Sequence, residues 1–401
     1  MYRGFSYILR PTPDQAASMA QFAGACRLVW NLALEQRRNH WRRYQASTGD
    51  NLNYVTQARE LTLLRAEIDF IRAVHVTPLQ RALKALDGAY RLAWQGKGGY
   101  PDFKKKGAHE AFSYSGREVL VEKINAKWGK IRLPKIGWVK FRLTRPMEGK
   151  ICEVTVSHTA LGWQVSVGCL IDRDVADPGG AVGIDRGVTV PLMLSDGSSY
   201  SLPMSVSILE KRIRKAQRIA SRRKRGSVRH QKAQRRVSSL RAKQARIRKH
   251  WAHEATTAVT RRYGTIVVEK LRTQSMTASA EGTVEFPGRN VAQKRGLNRA
   301  ILNVGWHQIQ TMLSHKAARV IRVNPAYSSQ TCSSCGTVAR DSRKSQAIFL
   351  CVSCGHSGNA DHNAAIIILN RGNTPGVEVS SCGTVEAQTI QVASPHGDLR
   401  L

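Results

Sequence analysis

The chain has 401 residues, with 63 Lys or Arg against 28 Asp or Glu and a formal net charge of +35. At 42% hydrophobic residues it can fill real cores, which excludes a wholly disordered basic tail. Its longest apolar run, residues 364–369, is far too short to cross a bilayer.

Such an excess of cations repels itself unless an anion offsets it, and nucleic acid is the obvious anion. A membrane surface is the weaker choice, because no lipidation signal is present. Residues 1–11 carry Arg3 and Arg10 and lack the apolar core of a secretory signal, so a cytoplasmic location, cytosol or nucleoid, is expected.

In chain order, residues 2–10 alternate as a strand. Thr12-Pro13-Asp14-Gln15 predicts a helix start with a capping box, followed by the stripe Met19, Phe22, Cys26, Val29, Ala33. A second helix is expected over 56–69. Thr77-Pro78-Leu79-Gln80 repeats the box ahead of Leu79, Leu83, Leu86 and Tyr90, so residues 12–96 read as a small helical module. After the glycine turn at 96–99 the pattern changes to short strands, at 129–133, 138–143, 151–157 and 163–170. The strand at 2–10 could join them in a β-barrel-like domain, with the helices as an insertion.

Asp177-Pro178-Gly179-Gly180 is a linker signal, and 181–188, 189–194 and 198–202 read as a meander. Residues 211–249 hold 18 Lys or Arg and no acid, in a pattern that fits two helices broken at Gly226-Ser227. A buried strand over 265–268 ends at Glu269. Residues 291–299 are expected to form a basic loop, 303–318 a helix, 319–323 a strand, and 361–369 the start of a short apolar helix. The Gly/Ser/Thr-rich tail, 373–401, is expected to be disordered.

Three constellations could carry chemistry. Cys332-x2-Cys335-x15-Cys351-x2-Cys354 has the spacing of a four-thiolate zinc site, with one structural Zn²⁺ as the expectation. The remaining cysteines are scattered singly and read as reduced thiols. Asp185, Glu269 and Asp361 each stand at the edge of an apolar element. A buried carboxylate needs a cation or hydrogen bonds, and three from separate elements could share two Mg²⁺ ions. The bland alternative is three unrelated surface acids. Their order, strand-Asp, meander, helices, strand-Glu, helix-Asp, is the plan of an RNase H-like fold. In the basic hairpin, Arg222, Arg223, Lys224, Arg225 and Arg229 are expected to neutralise phosphates. No aromatics interleave there, so the expected contacts are to nucleic-acid backbone.

The chain resembles the TnpB family, RNA-guided endonucleases of insertion-sequence transposons related to the type V CRISPR effectors. The resemblance runs from about residue 2 to 370. Its motifs are Gly183-Ile184-Asp185-Arg186-Gly187, Val267-Val268-Glu269-Lys270-Leu271, Ser221-Arg222-Arg223-Lys224-Arg225-Gly226-Ser227, Gly296-Leu297-Asn298-Arg299, Tyr327-Ser328-Ser329-Gln330-Thr331-Cys332 and Asn359-Ala360-Asp361-His362-Asn363-Ala364-Ala365.

The resemblance implies an α/β multidomain protein. Residues 1–10 and 110–175 would be a wedge β-barrel, and 11–109 the helical recognition domain inserted in it. Residues 181–325 and 359–372 would be an RNase H-like (RuvC) nuclease domain containing the 211–249 hairpin, interrupted by a zinc ribbon at 326–358. A guide RNA from the transposon end would pair with double-stranded target DNA beside a short adjacent motif. One RuvC site would then cut both strands with Mg²⁺, in a ribonucleoprotein whose protein is monomeric.

By the same resemblance Asp185, Glu269 and Asp361 fall on the catalytic positions, and Asn359 stands where the family often has Asp. Tyr54 and Gln80 fall where the family contacts the adjacent-motif duplex, although Gln80 could only cap its helix and Tyr54 only pack. A nuclease-inactive guided repressor, a strand-transfer transposase and a non-catalytic RNA-binding zinc-ribbon protein remain as alternatives.

Overall fold

The computed structural model describes residues 2–43, 52–108, 110–172, 175–283, 285–373 and 378–381. They divide into two units, Met1–Arg173 and Asp174–Leu401.

In the first unit β1 (Tyr2–Arg10) turns Phe5, Tyr7 and Leu9 into the core. From Tyr2 to Ile8 it pairs with β7 (Gly162–Leu170), and by Leu9 and Arg10 with β5 (Gly137–Arg142). It therefore joins two strand groups into one seven-stranded antiparallel sheet, ordered β2-β6-β7-β1-β5-β4-β3. The others are β2 (Ala111–Ser115), β3 (Leu120–Lys123), β4 (Trp128–Leu133) and β6 (Lys150–Thr159). Among the described residues β2 and β3, the two ends, do not pair with each other. They follow one another in the chain, joined by the 3₁₀ turn at Gly116–Glu118, so one bent segment carries both ends of the sheet.

Between β1 and β2 lie α1 (Pro13–Arg43), α2 (Tyr54–Glu67), α3 (Asp69–Ala73) and α4 (Val76–Trp94). The box at the start of α1 forms: the Thr12 amide donates to Gln15 Oε1 (3.1 Å) and the Gln15 amide to Thr12 Oγ1 (3.3 Å). The second box does not. Helix α4 already begins at Val76, which puts Thr77 inside its first turn, and the Thr77 hydroxyl instead donates to Glu118 Oε1 at 2.6 Å. Helix α2 has its box at Asn53 and Thr56. The buried stripes of α1 and α4 share one core with the sheet, where Phe22 meets Phe112 at 5.4 Å between ring centres.

The second unit is built on a six-stranded sheet, ordered β10-β9-β8-β11-β12-β15, the last being Glu378–Ser381. Strands β8 (Ala181–Asp185), β11 (Thr265–Glu269) and β12 (Arg319–Val323) are parallel. Strands β9 (Leu192–Leu194) and β10 (Ser199–Tyr200) return antiparallel on one side. Alternation along β11 sorts the layers. Ile266 and Val268 pack with Trp251, Ala255, Val259, Ile309 and Leu313, while Val267 packs with Ile368.

The first helical layer comprises α5 (Met204–Ser221), α6 (Val228–Arg262), the one-turn α7 (Thr273–Met276), α8 (Val291–Val304) and α9 (Trp306–Lys316). Helix α10 (Ala360–Gly372) covers the other face. The hairpin helices outrun the expected 211–249, because Val206 and Leu209 at one end and Trp251, Ala255 and Val259 at the other prolong the buried stripes.

Three expectations are corrected. Residues 291–299, expected as a loop, form most of α8; none of them is buried, so no apolar stripe marked the helix, which is anchored by Ile301 and Val304 beyond them. Gly305, at φ +75°, separates α8 from α9 where one helix was expected. Glu378–Ser381, inside the tail expected to be disordered, forms β15, antiparallel to β12, whose open edge supplies unpaired backbone groups whatever the side chains. Residues 374–377 and 382–401 of that tail lie outside the described residues.

Candidate active site and metal centre

Asp185 is the last residue of β8, and Glu269 the last of β11. The strands are parallel with Ile184 opposite Val268, so both carboxylates leave the sheet at the same edge. Asp361 stands in the first turn of α10. Gly183 brings that helix in: a Cβ there would lie 2.1 Å from the Ala365 carbonyl oxygen and 2.6 Å from the Leu369 amide nitrogen. Only a glycine lets α10 lie directly on β8. Asn359 is the N-cap, its Oδ1 accepting from the amides of Asp361 and His362, both at 3.0 Å. This cap accounts for Asn359 without any ligand role.

The three carboxylates share an electrostatic environment. Burial, then the charges of Glu269 and Asp361, push Asp185 up to about 7. Burial also raises Asp361, against the Arg343 guanidinium, whose Nη2 lies 3.3 Å from Asp361 Oδ1. Glu269 is 6% exposed, and its Oε1 accepts from the Ser328 hydroxyl at 2.6 Å. Its main-chain oxygen accepts from Arg186 Nη2, while Arg186 Nη1 donates to Gln310 Oε1 at 3.0 Å. Arg186 is itself buried, and burial pulls it down to about 10.

Two guanidiniums thus stand against three acids. Among the described residues the carboxylates are not drawn into a cluster as tight as that of the four thiols. Sequence reasoning assigned no role to Arg186, Ser328 or Arg343. A cation immediately after a buried strand was the available signal for Arg186; nothing local marks the other two.

The four thiol sulfurs of Cys332, Cys335, Cys351 and Cys354 all lie within 4.8 Å of one another. Cys332 and Cys354 are 3.7 Å apart, and Cys335 and Cys351 3.6 Å. Tetrahedral zinc with bonds of about 2.3 Å separates its sulfurs by roughly 3.8 Å, so the cluster fits that ion. The two knuckles repeat one backbone design. The Cys332 amide donates to the Thr337 carbonyl (2.9 Å) and Gly336 back to Cys332 (3.0 Å); Cys351 donates to His356 (2.8 Å) and Gly355 back to Cys351 (3.1 Å). Gly336 and Gly355 take the left-handed turn, at φ +74° and +73°. His356 sits outside the thiol set, its Nε2 3.4 Å from Ser333 Oγ.

Buried Asn363 ties this module to α10: its Nδ2 donates to the Thr331 carbonyl at 2.7 Å, and its Oδ1 accepts from the Ser333 amide at 2.9 Å. The β13–β14 hairpin (Ile348–Leu350, Ser357–Asn359) runs straight into that helix.

This arrangement has close relatives in sequence. Over 392 residues the chain is 36% identical to the "Putative RNA-guided DNA endonuclease InsQ" of Escherichia coli strain K12, covering 95% of this chain and 94% of that protein. The chain belongs to that family, TnpB. A second TnpB relative, a "Putative RNA-guided DNA endonuclease" of Streptomyces pristinaespiralis, is 31% identical over 95% of this chain and 91% of its own. Family models match at residues 306–368 ("Cas12f1-like, TNB domain"), 153–280 ("Probable transposase") and 1–46 ("Helix-turn-helix domain"). The last falls on β1 and the single unbroken helix α1, not on two helices. The fold resembles that of a Cas12f1–sgRNA–target DNA complex, with TM-score 0.55 and 15% identity over 92% of this chain and 84% of that one.

In this TnpB chain the hairpin residues Arg222, Arg223, Lys224, Arg225 and Arg229 are all exposed, at and just beyond the turn between α5 and α6. Among the described residues none of the five is in an ion pair. Tyr54, the first residue of α2, is half-buried under the Lys84 ammonium (5.0 Å) and lines an open depression with Asn53, Val55, Lys84, Asp87 and Arg91. Gln80 lies one turn before Lys84 on α4, partly exposed and without a capping role. No helix among the described residues is long and apolar enough to cross a membrane.

Proposed function

We propose that the chain is an RNA-guided DNA endonuclease of a transposon. A guide RNA pairs with one DNA strand next to a short adjacent motif, and one nuclease site hydrolyses phosphodiesters of both strands. The observation that carries the chemistry is the convergence of Asp185, Glu269 and Asp361, from two parallel strand ends and a helix start, with Asp185 held near 7 by burial and by its neighbours. Three carboxylates, Glu269 buried and Asp185 and Asp361 half-buried, against two guanidiniums fit divalent cations, here two Mg²⁺. Membership of TnpB supports the guided reading.

In this reading residues 181–325 and 359–372 are the RNase H-like nuclease domain, and 326–358 the ribbon that holds one structural Zn²⁺. Residues 1–10 and 110–175 form the wedge, and 11–109 the recognition domain, where Tyr54 and Gln80 face the adjacent-motif duplex. The protein works as a monomer bound to RNA in the bacterial cytoplasm.

Asp185, Glu269 and Asp361 would hold the two cations. Bound cations would lower the pKa of an attacking water and offset charge on the leaving 3′-oxygen. Ser328 and Arg186 hold Glu269 from its side chain and its main chain. Arg343 offsets the charge of Asp361. Because base pairing selects the target, the protein itself needs to hold backbone and a short duplex, which suits the exposed cations of the hairpin.

The test is a cleavage assay with Mg²⁺, purified guide RNA and a matched duplex, run beside a gel-shift. Asp185→Ala should abolish cutting of both strands and leave guided binding intact. A native protein that binds the matched duplex and never cuts it, across adjacent motifs and divalent metals, is a guided repressor instead. Joining of transposon ends without a guide would make it a strand-transfer transposase.

A further inference from the structure

The segment after α4 presents aromatic rings to solvent in a basic setting. Trp94 is 60% exposed, Tyr100 68% and Phe103 44%. Exposed rings scattered singly are ordinary; here two of the three share one neighbour and the third lies under a cation. Trp94 and Tyr100 both lean on buried Tyr90, with ring centres at 5.6 and 6.3 Å, and the Arg37 guanidinium lies 5.3 Å from the centre of Tyr90. Phe103 lies under the Arg38 guanidinium at 4.9 Å. Arg91, Lys97, Lys105 and Lys106, all exposed, belong to the same stretch; Asp102 is the acid of the strap, and Asp87 on α4 pairs with Arg37 and Arg91.

The strap that carries Tyr100 and Phe103 has no regular structure, yet α1 pins it. Arg38 donates to the Pro101 carbonyl (2.7 Å), Trp30 Nε1 to the Asp102 carbonyl (3.1 Å) and Asn31 Nδ2 to the Lys104 carbonyl (3.0 Å). Asn31 Oδ1 accepts from the Lys104 amide at 2.8 Å. Lys104 turns inward, its ammonium 3.6 Å from the centre of the Trp30 ring. The backbone is therefore fixed while the rings stay outside. Rings held this way lose little entropy when a partner arrives, the property a binding surface needs and a merely tolerated apolar patch does not.

We infer that Trp94, Tyr100 and Phe103 form a stacking platform for unpaired bases of single-stranded RNA. Aromatic faces take any base by stacking, and cations around them take the phosphates. The exposed acid of the strap favours RNA over DNA. Asp102 is 93% exposed in its side chain, 3.3 Å from Arg38, and repels phosphate, but its carboxylate accepts from a ribose 2′-hydroxyl. The platform is distinct from the hairpin, where no ring stands among the cations. It deepens the proposed function by adding a base-contacting surface for the RNA partner.

The experiment measures binding of the full chain to a labelled 12-nucleotide RNA of mixed sequence, at about 0.3 M salt so that attraction to phosphate is weakened. The same sequence as single-stranded DNA and as duplex RNA serves as control. Trp94→Ala and Tyr100→Ala should each weaken single-stranded RNA binding by about fivefold to a hundredfold. Trp94→Phe should restore most of it, and the slope of affinity against salt should not change. Duplex RNA, whose bases are hidden, should bind the variants as it binds the native chain, which also shows that they are folded.

Unchanged affinity for single-stranded RNA, an equal loss on duplex RNA, or a changed salt slope would each overturn the platform. An equal loss on single-stranded DNA would overturn the assignment to RNA. The assay needs neither a guide nor cleavage, so its failure is separate from failure of the nuclease reading.

Discussion

Asp185 is where burial and charge compete most openly. Its carboxyl sits near 7 in the folded chain against 3.8 ordinarily. Between about pH 4 and 7 the folded chain therefore keeps a proton that the unfolded chain has released, and stability falls as pH rises through that window. Asp185→Asn removes the ionisation. In Mg²⁺-free buffer the variant should be more stable than the native chain at pH 8, by on the order of 4 kcal/mol. The gap should narrow toward pH 5 in urea unfolding; a gap independent of pH would refute the shift. Ser328 makes a different prediction. Ser328→Ala leaves buried Glu269 without its 2.6 Å donor, so the Mg²⁺ concentration for half-maximal cleavage should rise about tenfold or more, with guided binding unchanged. The acids themselves were legible in the sequence because acid is scarce in this chain. Ser328 and Arg343 were not, because each reaches its carboxylate from a distant loop, 59 and 18 residues away, and no local pattern encodes such a pairing.

At the scale of elements, the zinc knuckles and the helix of Asp361 act together. Asn363 clamps the first knuckle with two bonds from inside α10, and Arg343 reaches Asp361 from the module between the knuckles. Asn363→Ala should keep full zinc content by metal analysis, cost about 1–3 kcal/mol in unfolding, and slow cleavage roughly tenfold. Cys332→Ser with Cys351→Ser should lose the zinc and the cleavage together; full zinc occupancy in that double variant would refute the metal assignment. The CxxC spacing made the ribbon readable, and strong periodicity made α1, α4 and the hairpin readable. Periodicity failed where a helix buries little. Residues 291–299 bury no side chain fully, and the buried anchor, Ile301 and Val304, lies beyond the nine residues. The Thr77 box misled for a related reason: the same four letters serve equally inside a first turn, with the hydroxyl spent on Glu118.

Over the whole molecule, a net charge of +35 sets how binding responds to salt. Replacing four of Arg222, Arg223, Lys224, Arg225 and Arg229 by Gln should reduce the slope of log K against log salt by a few units, at roughly 0.7–0.9 for each phosphate no longer neutralised. An unchanged slope would make the hairpin a solvated face. One feature of the first unit reaches into the cell in another way. Its central strand, β1, is made before everything that flanks it, and β5 and β7 end only at Arg142 and Leu170. At about 5–20 residues per second, roughly 10–30 s of synthesis separate the strand from its neighbours. Through that interval Phe5, Tyr7 and Leu9 have no core to enter, and both edges of β1 lie open on the nascent chain. The competitor for that place is the same strand on the next ribosome of the polysome, so the yield of native protein should depend on how quickly the message is read between codons 11 and 170.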